Sequence, residues 1–167
     1  MTRAPLIKTE RLTLRHHEMA DMEPFWAFYQ SERAGYVSAP KNKTHMYYGF
    51  LSEIAAWDLL GYGGWAIDLD GQMIGQLSII QPPHFPEREI GWILFDGFES
   101  TGYAYEAARA ALDWAWGQGM ETLVSYIDQN NPRSMALAER LGATLDPNAA
   151  KYDEVDVVYR HMPGGAA

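Results

Sequence analysis

A mixed α/β fold, with six or seven strands covered by about four helices, is what three features of this 167-residue chain predict. First, Trp65–Leu69 and Met73–Ile80 are two apolar runs joined by Asp70-Gly71, a strong hairpin turn. Second, Glu89–Leu112 reads as strand, short polar turn and helix. Third, the apolar run Thr122–Ile127 leads into a helix bracketed by Pro132 and Gly142, the residue types that open and close helices. Strands interleaved with helical patterns imply a sheet with helices packed on its faces.

In chain order, Thr9–Arg15 alternates Leu12 and Leu14 with polar residues and predicts a short strand. Asp21 is placed to cap a helix carrying Met22, Phe25, Trp26 and Tyr29 on one face. Residues 35–43 read as a loop. A helix from about Thr44 to Leu60 aligns Met46, Phe50, Ile54 and Trp57 and ends at Gly61. After the hairpin, the loop 81–86 contains three prolines that cannot donate to a ladder. The central strand then runs through Ile90–Phe95. In the helix that follows, Ala104, Ala108, Ala111, Leu112 and Ala115 share a face narrow enough to lie close on a sheet. Val155–Arg160 predicts a last strand. Residues 1–162 are expected to form a single domain, and 163–167 a disordered tail.

The chain has no cysteine, which excludes disulfides, thiolate nucleophiles and cysteine-based zinc sites. Its five histidines show no ligand spacing, so no metal site is expected. The N-terminal residues lack a signal-peptide core and no run is long enough to span a membrane, which leads to an expected cytoplasmic location. A net charge of −9 argues against nucleic acid as partner and favours a cationic one. The turn before the Ala-rich helix contains Gly102, which lets an anionic group approach the free N–H groups of a helix start. Because a diphosphate ligand and the whole chain are both anionic, such a site must be locally positive.

The hexamer Glu99-Ser100-Thr101-Gly102-Tyr103-Ala104 resembles the pyrophosphate-binding turn of the GNAT superfamily of N-acetyltransferases, Gln/Arg-x-x-Gly-x-Gly/Ala. The resemblance extends to Asn131-Pro132-Arg133-Ser134 and to Arg140-Leu141-Gly142, which match the two ends of that family's fourth helix. The opening TERLTLR and closing VVYRHMP resemble the subfamily that acetylates ribosomal-protein N-termini. The resemblance implies acetyl-coenzyme A as co-substrate, a primary amine as acceptor (a protein N-terminus or a small cationic amine), and a possible homodimer. It implies that Ile93, Leu94 and Phe95 hold the thioester arm through their amides, and that Thr101, Gly102, Tyr103 and Ala104 hold the pyrophosphate. It also implies a phosphate contact from Arg133, and for Asn131 either a pantetheine contact or a helix cap. Ser134 is the expected acid and Glu89 the expected base, with Glu87 and His84 as alternatives. Tyr47, Tyr48 and Trp57 lie on the helix that borders the acceptor in relatives. Two positions depart from the family pattern. Glu99 replaces Gln or Arg and is expected to repel phosphate, and Ala138 stands where many relatives carry an acidic tyrosine. Those departures leave a non-catalytic acyl-coenzyme A-binding module as the alternative reading.

Overall fold

A computed structural model describes residues 3–164; the final residues of the expected disordered tail, 165–167, lie outside the described residues. Among the described residues one sheet of eight strands runs in the order β1-β2-β3-β4-β5-β6-β8-β7. The strands are β1 (Ile7–Lys8), β2 (Thr13–Arg15), β3 (Gly64–Leu69), β4 (Gln72–Ile80), β5 (Glu89–Leu94), β6 (Leu123–Asp128), β7 (Thr144–Leu145) and β8 (Asp156–His161). The helices are α1 (Met22–Tyr29), α2 (Lys43–Leu60), α3 (Tyr103–Gly117) and α4 (Pro132–Arg140). The expected strand 9–15 is therefore shortened to Thr13–Arg15, and β1 and β7 were not anticipated. Both β1 and β7 are two-residue strands, too short for a period to show.

Local chemistry explains most boundaries. The β3–β4 turn places Asp70 at φ 52° and Gly71 at φ 87°, the left-handed pair that twists a hairpin correctly. Asp21 does not cap α1. Its carboxylate instead accepts two bonds from Arg15, at 2.8 and 2.9 Å, and one from the Glu18 amide at 2.8 Å. The Asn42 side chain caps α2 by accepting from the His45 amide at 3.0 Å.

The two faces of the sheet bury different helices. On one face α3 lays Ala107, Ala108, Ala111, Leu112 and Ala115 against Leu77, Ile79, Ile90 and Leu94. On the other, α1 and α2 bring Phe25, Met46 and Phe50 onto Ala66 and Met73. Trp57 of α2, Trp65 of β3 and Trp114 of α3 meet edge to face, with centroids 4.5 to 5.4 Å apart. The Trp57 and Trp65 indoles donate to the Gly64 and Pro5 carbonyls, so neither buried N–H is wasted.

β5 and β6 are the parallel pair, and they register only at Glu89–Val124. Beyond that point the strands part, and side chains take over the backbone groups that a ladder would have satisfied. The Ser125 hydroxyl donates to the Ile90 carbonyl at 2.7 Å, and the Tyr126 amide donates to the Glu89 carboxylate at 3.2 Å. His161 stands 3.0 Å from Ser125 Oγ, and burial lowers its pKa to about 4, so the ring is neutral at pH 7. The sheet thus opens without stranding these two polar groups.

Candidate active site

The gap between β5 and β6 is lined by the exposed edge of β5. The Phe95 amide is committed to the Ile74 carbonyl at 2.8 Å. The alternation of an antiparallel ladder turns the Ile93 amide toward β4 as well. Of the three amides expected to hold a thioester arm, only Leu94 therefore faces the opening. Trp92, on the same side of the strand, joins it. The expectation failed because the apolar run in sequence does not show which edge of the strand is paired.

At the mouth of the gap lies the first turn of α3. The N-cap Gly102 sits at φ 85° and offers no side-chain cap, and the first helical bond runs from Glu106 N–H to Gly102 C=O. The N–H groups of Gly102, Tyr103, Ala104 and Tyr105 are left at an open helix end, where the macrodipole is positive. A residue with a Cβ at Gly102 would be strained at this φ and would meet Arg11 Nη2 at 3.3 Å. The Thr101 hydroxyl turns away to Phe98 O, and its carbonyl accepts from Arg11. Thr101 is a structural residue of the turn rather than a side-chain ligand. Tyr103 carries Arg11 over its ring, 4.6 Å from the centroid.

Glu99 does not stand as an uncompensated carboxylate. Arg33, from the short 3-10 turn Glu32–Tyr36, donates to Glu99 Oε1 at 2.7 Å and to the Leu94 carbonyl at 3.2 and 3.3 Å. Its own backbone amide, Arg33 and the nearby Arg133 all lower the Glu99 pKa. The departure seen in the sequence is thus ion-paired in the structure: a guanidinium missing from the turn arrives from a segment 66 residues away. A groove of about 430 Å³ beside the same turn is lined by Arg11, Arg109 and Arg140 and equally by Glu10, Glu106 and Asp113, with Arg11 paired to Glu106 and Arg109 to Asp113, so what positive potential the turn has comes from the open helix end. Arg33→Ala leaves Glu99 facing the turn unpaired, and the dissociation constant for acetyl-coenzyme A is expected to rise about tenfold or more in calorimetry.

On the α3 side of the gap stands Ser134, in the first turn of α4. Asn131 caps this helix: its Oδ1 accepts from the Ser134 amide at 3.2 Å, while its Nδ2 donates to Ser134 Oγ at 3.1 Å. Trp92 Nε1 donates to the same oxygen at 3.4 Å. With two donors on its lone pairs, the hydroxyl has its own proton to give, and its acidity is enhanced. Trp92 was missed in sequence because nothing distinguishes its indole from a core tryptophan. Ala138 is fully buried against Ile127, Ala143 and Tyr159, so this chain has no room for a phenol there. Arg133 is exposed in the same first turn.

Glu89 lies on the opposite face, beside Gly91, whose added Cβ would stand 3.7 to 3.9 Å from the Glu89 carboxyl. Burial pushes this carboxyl up to about 8; the Tyr126 amide restrains the shift, and Asp156 and Glu53 add to it. The alternatives fare differently. Glu87 is held by both ends of Arg160, at 2.7 and 2.8 Å, which lowers its pKa and weakens it as a base. His84 is exposed and packs edge-on against Phe85 and Tyr152. Trp57 is core, and Tyr48 is 63% exposed. Ser134 and Glu89 therefore sit on the two faces of the sheet, with the β5–β6 gap between them.

The acetyltransferase (GNAT) domain profile matches residues 11–144. The chain belongs to the GNAT acetyltransferase family. As a GNAT protein it is an acetyl-coenzyme A-dependent acyltransferase. A solved acetyltransferase from Agrobacterium tumefaciens is 43% identical and superposes with a TM-score of 0.91, covering 97% of this chain and 96% of that one. RimL, described as a ribosomal L7/L12 α-N-protein acetyltransferase and solved with coenzyme A, is 20% identical with a TM-score of 0.77, over 95% and 98% of the two chains. It shares the GNAT fold. The uncharacterized YkkB of Bacillus subtilis is 26% identical over 90% of this chain and 92% of its own. Among the described residues no helix is long and apolar enough to cross a membrane, and no group of three or more His, Asp or Glu is placed to hold a metal ion.

Proposed function

We propose that the protein transfers an acetyl group to a primary amine by direct attack, with Glu89 as base and Ser134 as acid. The observation that carries this reading is the doubly donated Ser134 hydroxyl across the sheet gap from a carboxyl with a pKa of about 8. Acetyl-coenzyme A supplies the activated acyl group as a thioester. The open helix end at Gly102–Tyr105, with Arg33 and Arg133 near Glu99, fits its pyrophosphate, and the outward amides of Trp92 and Leu94 fit its amide-rich arm. Glu89 removes a proton from the amine, directly or through water, so that a neutral nitrogen attacks. Ser134 gives its proton to the departing sulfur, and Asn131 and Trp92 hold its oxygen in place while it does so. An acceptor amine suits both the overall charge and the carboxylates on the Glu89 side.

The test is calorimetric titration with acetyl-coenzyme A followed by thiol release with a panel of amines. Micromolar binding and amine-dependent release are expected. Ser134→Ala is expected to lower kcat by about 10²-fold while leaving the cofactor affinity near that of the wild type. Binding without release from any amine would instead support a non-catalytic acyl-coenzyme A-binding module.

A further inference from the structure

On the face opposite α3, the register aligns Gly64, Ser78 and Gly91 across β3, β4 and β5. Three small residues in a row leave a shallow channel, partly exposed at Ser78 and Gly91 and covered over Gly64. Glu89 stands at one end of it. At the other is Glu53 of α2, whose carboxylate occupies the space that a Cβ on Gly64 would need. Glu53 also accepts from the Gln76 amide nitrogen. Both glutamates are partly exposed as residues, while their carboxyl groups point inward over the row. Burial raises Glu53 to about 7, despite the opposing bond from Gln76.

The channel is rich in acceptors and poor in positive charge. Among the described residues, none of the ion pairs involves Glu53, Glu89 or Asp156. Gln76 is only 4% exposed, and its Oε1 has no hydrogen-bond partner. With its nitrogen on Glu53, this oxygen is a second unmatched acceptor beside the carboxylate. Burying such groups is costly unless a donor arrives. The reacting nitrogen cannot be that donor. It must be neutral near Glu89, and Gly91 and Gly64 are two strand spacings apart, roughly 10 Å.

We infer that the acceptor is a small dication: a primary amine that reacts beside Glu89 and a second ammonium group held by Glu53 and Gln76 Oε1. The inference rests on the acetyltransferase reading and names its acceptor class. Glu53 is then a specificity-determining residue that positions substrate and takes no proton from the reacting amine.

The experiment compares diaminobutane and diaminopentane with butylamine and pentylamine, using wild type and Glu53→Gln, an isosteric change. In the wild type kcat/KM for a diamine should exceed that for its monoamine by about tenfold or more. Glu53→Gln should erase that ratio through KM for the diamine, and Glu53→Asp should restore part of it. Equal rates for diamine and monoamine in the wild type overturn the inference. So does a ratio unchanged by Glu53→Gln, or a peptide N-terminus that outcompetes both diamines. If no amine is turned over, the transferase reading fails separately. Calorimetry of the coenzyme A-loaded protein then still decides: diamine binding lost in Glu53→Gln supports the site, and equal binding of diamine and monoamine overturns it.

Discussion

Glu89→Gln is expected to lower kcat/KM for amine acetylation by roughly 10²- to 10³-fold. The amide keeps an oxygen for the Tyr126 N–H, so the strand junction survives while the base is lost. The pH profile separates this from a structural defect. With a carboxyl pKa of about 8, wild-type kcat/KM should rise with pH to about that value before the limb due to Glu89 levels off. In the variant that limb should vanish, leaving only the ionisation of the amine itself. A variant that keeps the wild-type profile at reduced amplitude would assign the base elsewhere. Asp156, which burial raises to about 6, would be the next carboxylate to replace.

The same replacement should stabilise the protein at alkaline pH. The folded-state pKa values of Glu53 and Glu89, about 7 and about 8, lie above the ordinary 4.5. The folded chain therefore holds protons that the unfolded chain releases. The associated stability is full below about pH 4.5 and is lost as pH rises through 7 and 8. A glutamine at position 89 stays neutral throughout. Urea denaturation should show Glu89→Gln more stable than wild type by roughly 2 to 4 kcal/mol at pH 9, with little difference at pH 5. A difference of equal size at both pH values would mean that the carboxyl does not titrate in that range. The carboxyl proposed as the base is thus predicted to destabilise the fold at alkaline pH, as is common where a charge is held out of water for use.

The length and order of most elements were legible in the chain because they follow from local chemistry. The Asp70-Gly71 turn, the alanine face of α3 and the Pro132–Gly142 bracket each depend on residues close in sequence. The family likewise rests on two short motifs, around Gly102 and around Asn131. The cap of α4 by Asn131 onto Ser134 is a contact between residues three apart, and it was among the readings the motif allowed. One further signal was present and not used. Glu53 falls three residues after Phe50 and four before Trp57, so it lies on the buried stripe of its helix. A glutamate in that position needs a reason.

What only the tertiary structure decided was how distant charges and edges meet. Glu99 reads as a defect until Arg33 folds against it, because ion pairing acts through space and leaves no period in the sequence. Which amides of β5 face the opening depends on β4 occupying its other edge. The apolar run alone is silent on that, and Phe95 was consequently misassigned. The channel between Glu53 and Glu89 exists because three strands bring Gly64, Ser78 and Gly91 into one row, a register set by pairing across the sheet. By itself the sequence determined most elements, the Gly102 turn and the helix cap that orients Ser134. Folding decided which side of the opened sheet carries Ser134, which carries Glu89, and where carboxylates without an ion-pair partner gather, because those contacts join residues far apart in the chain.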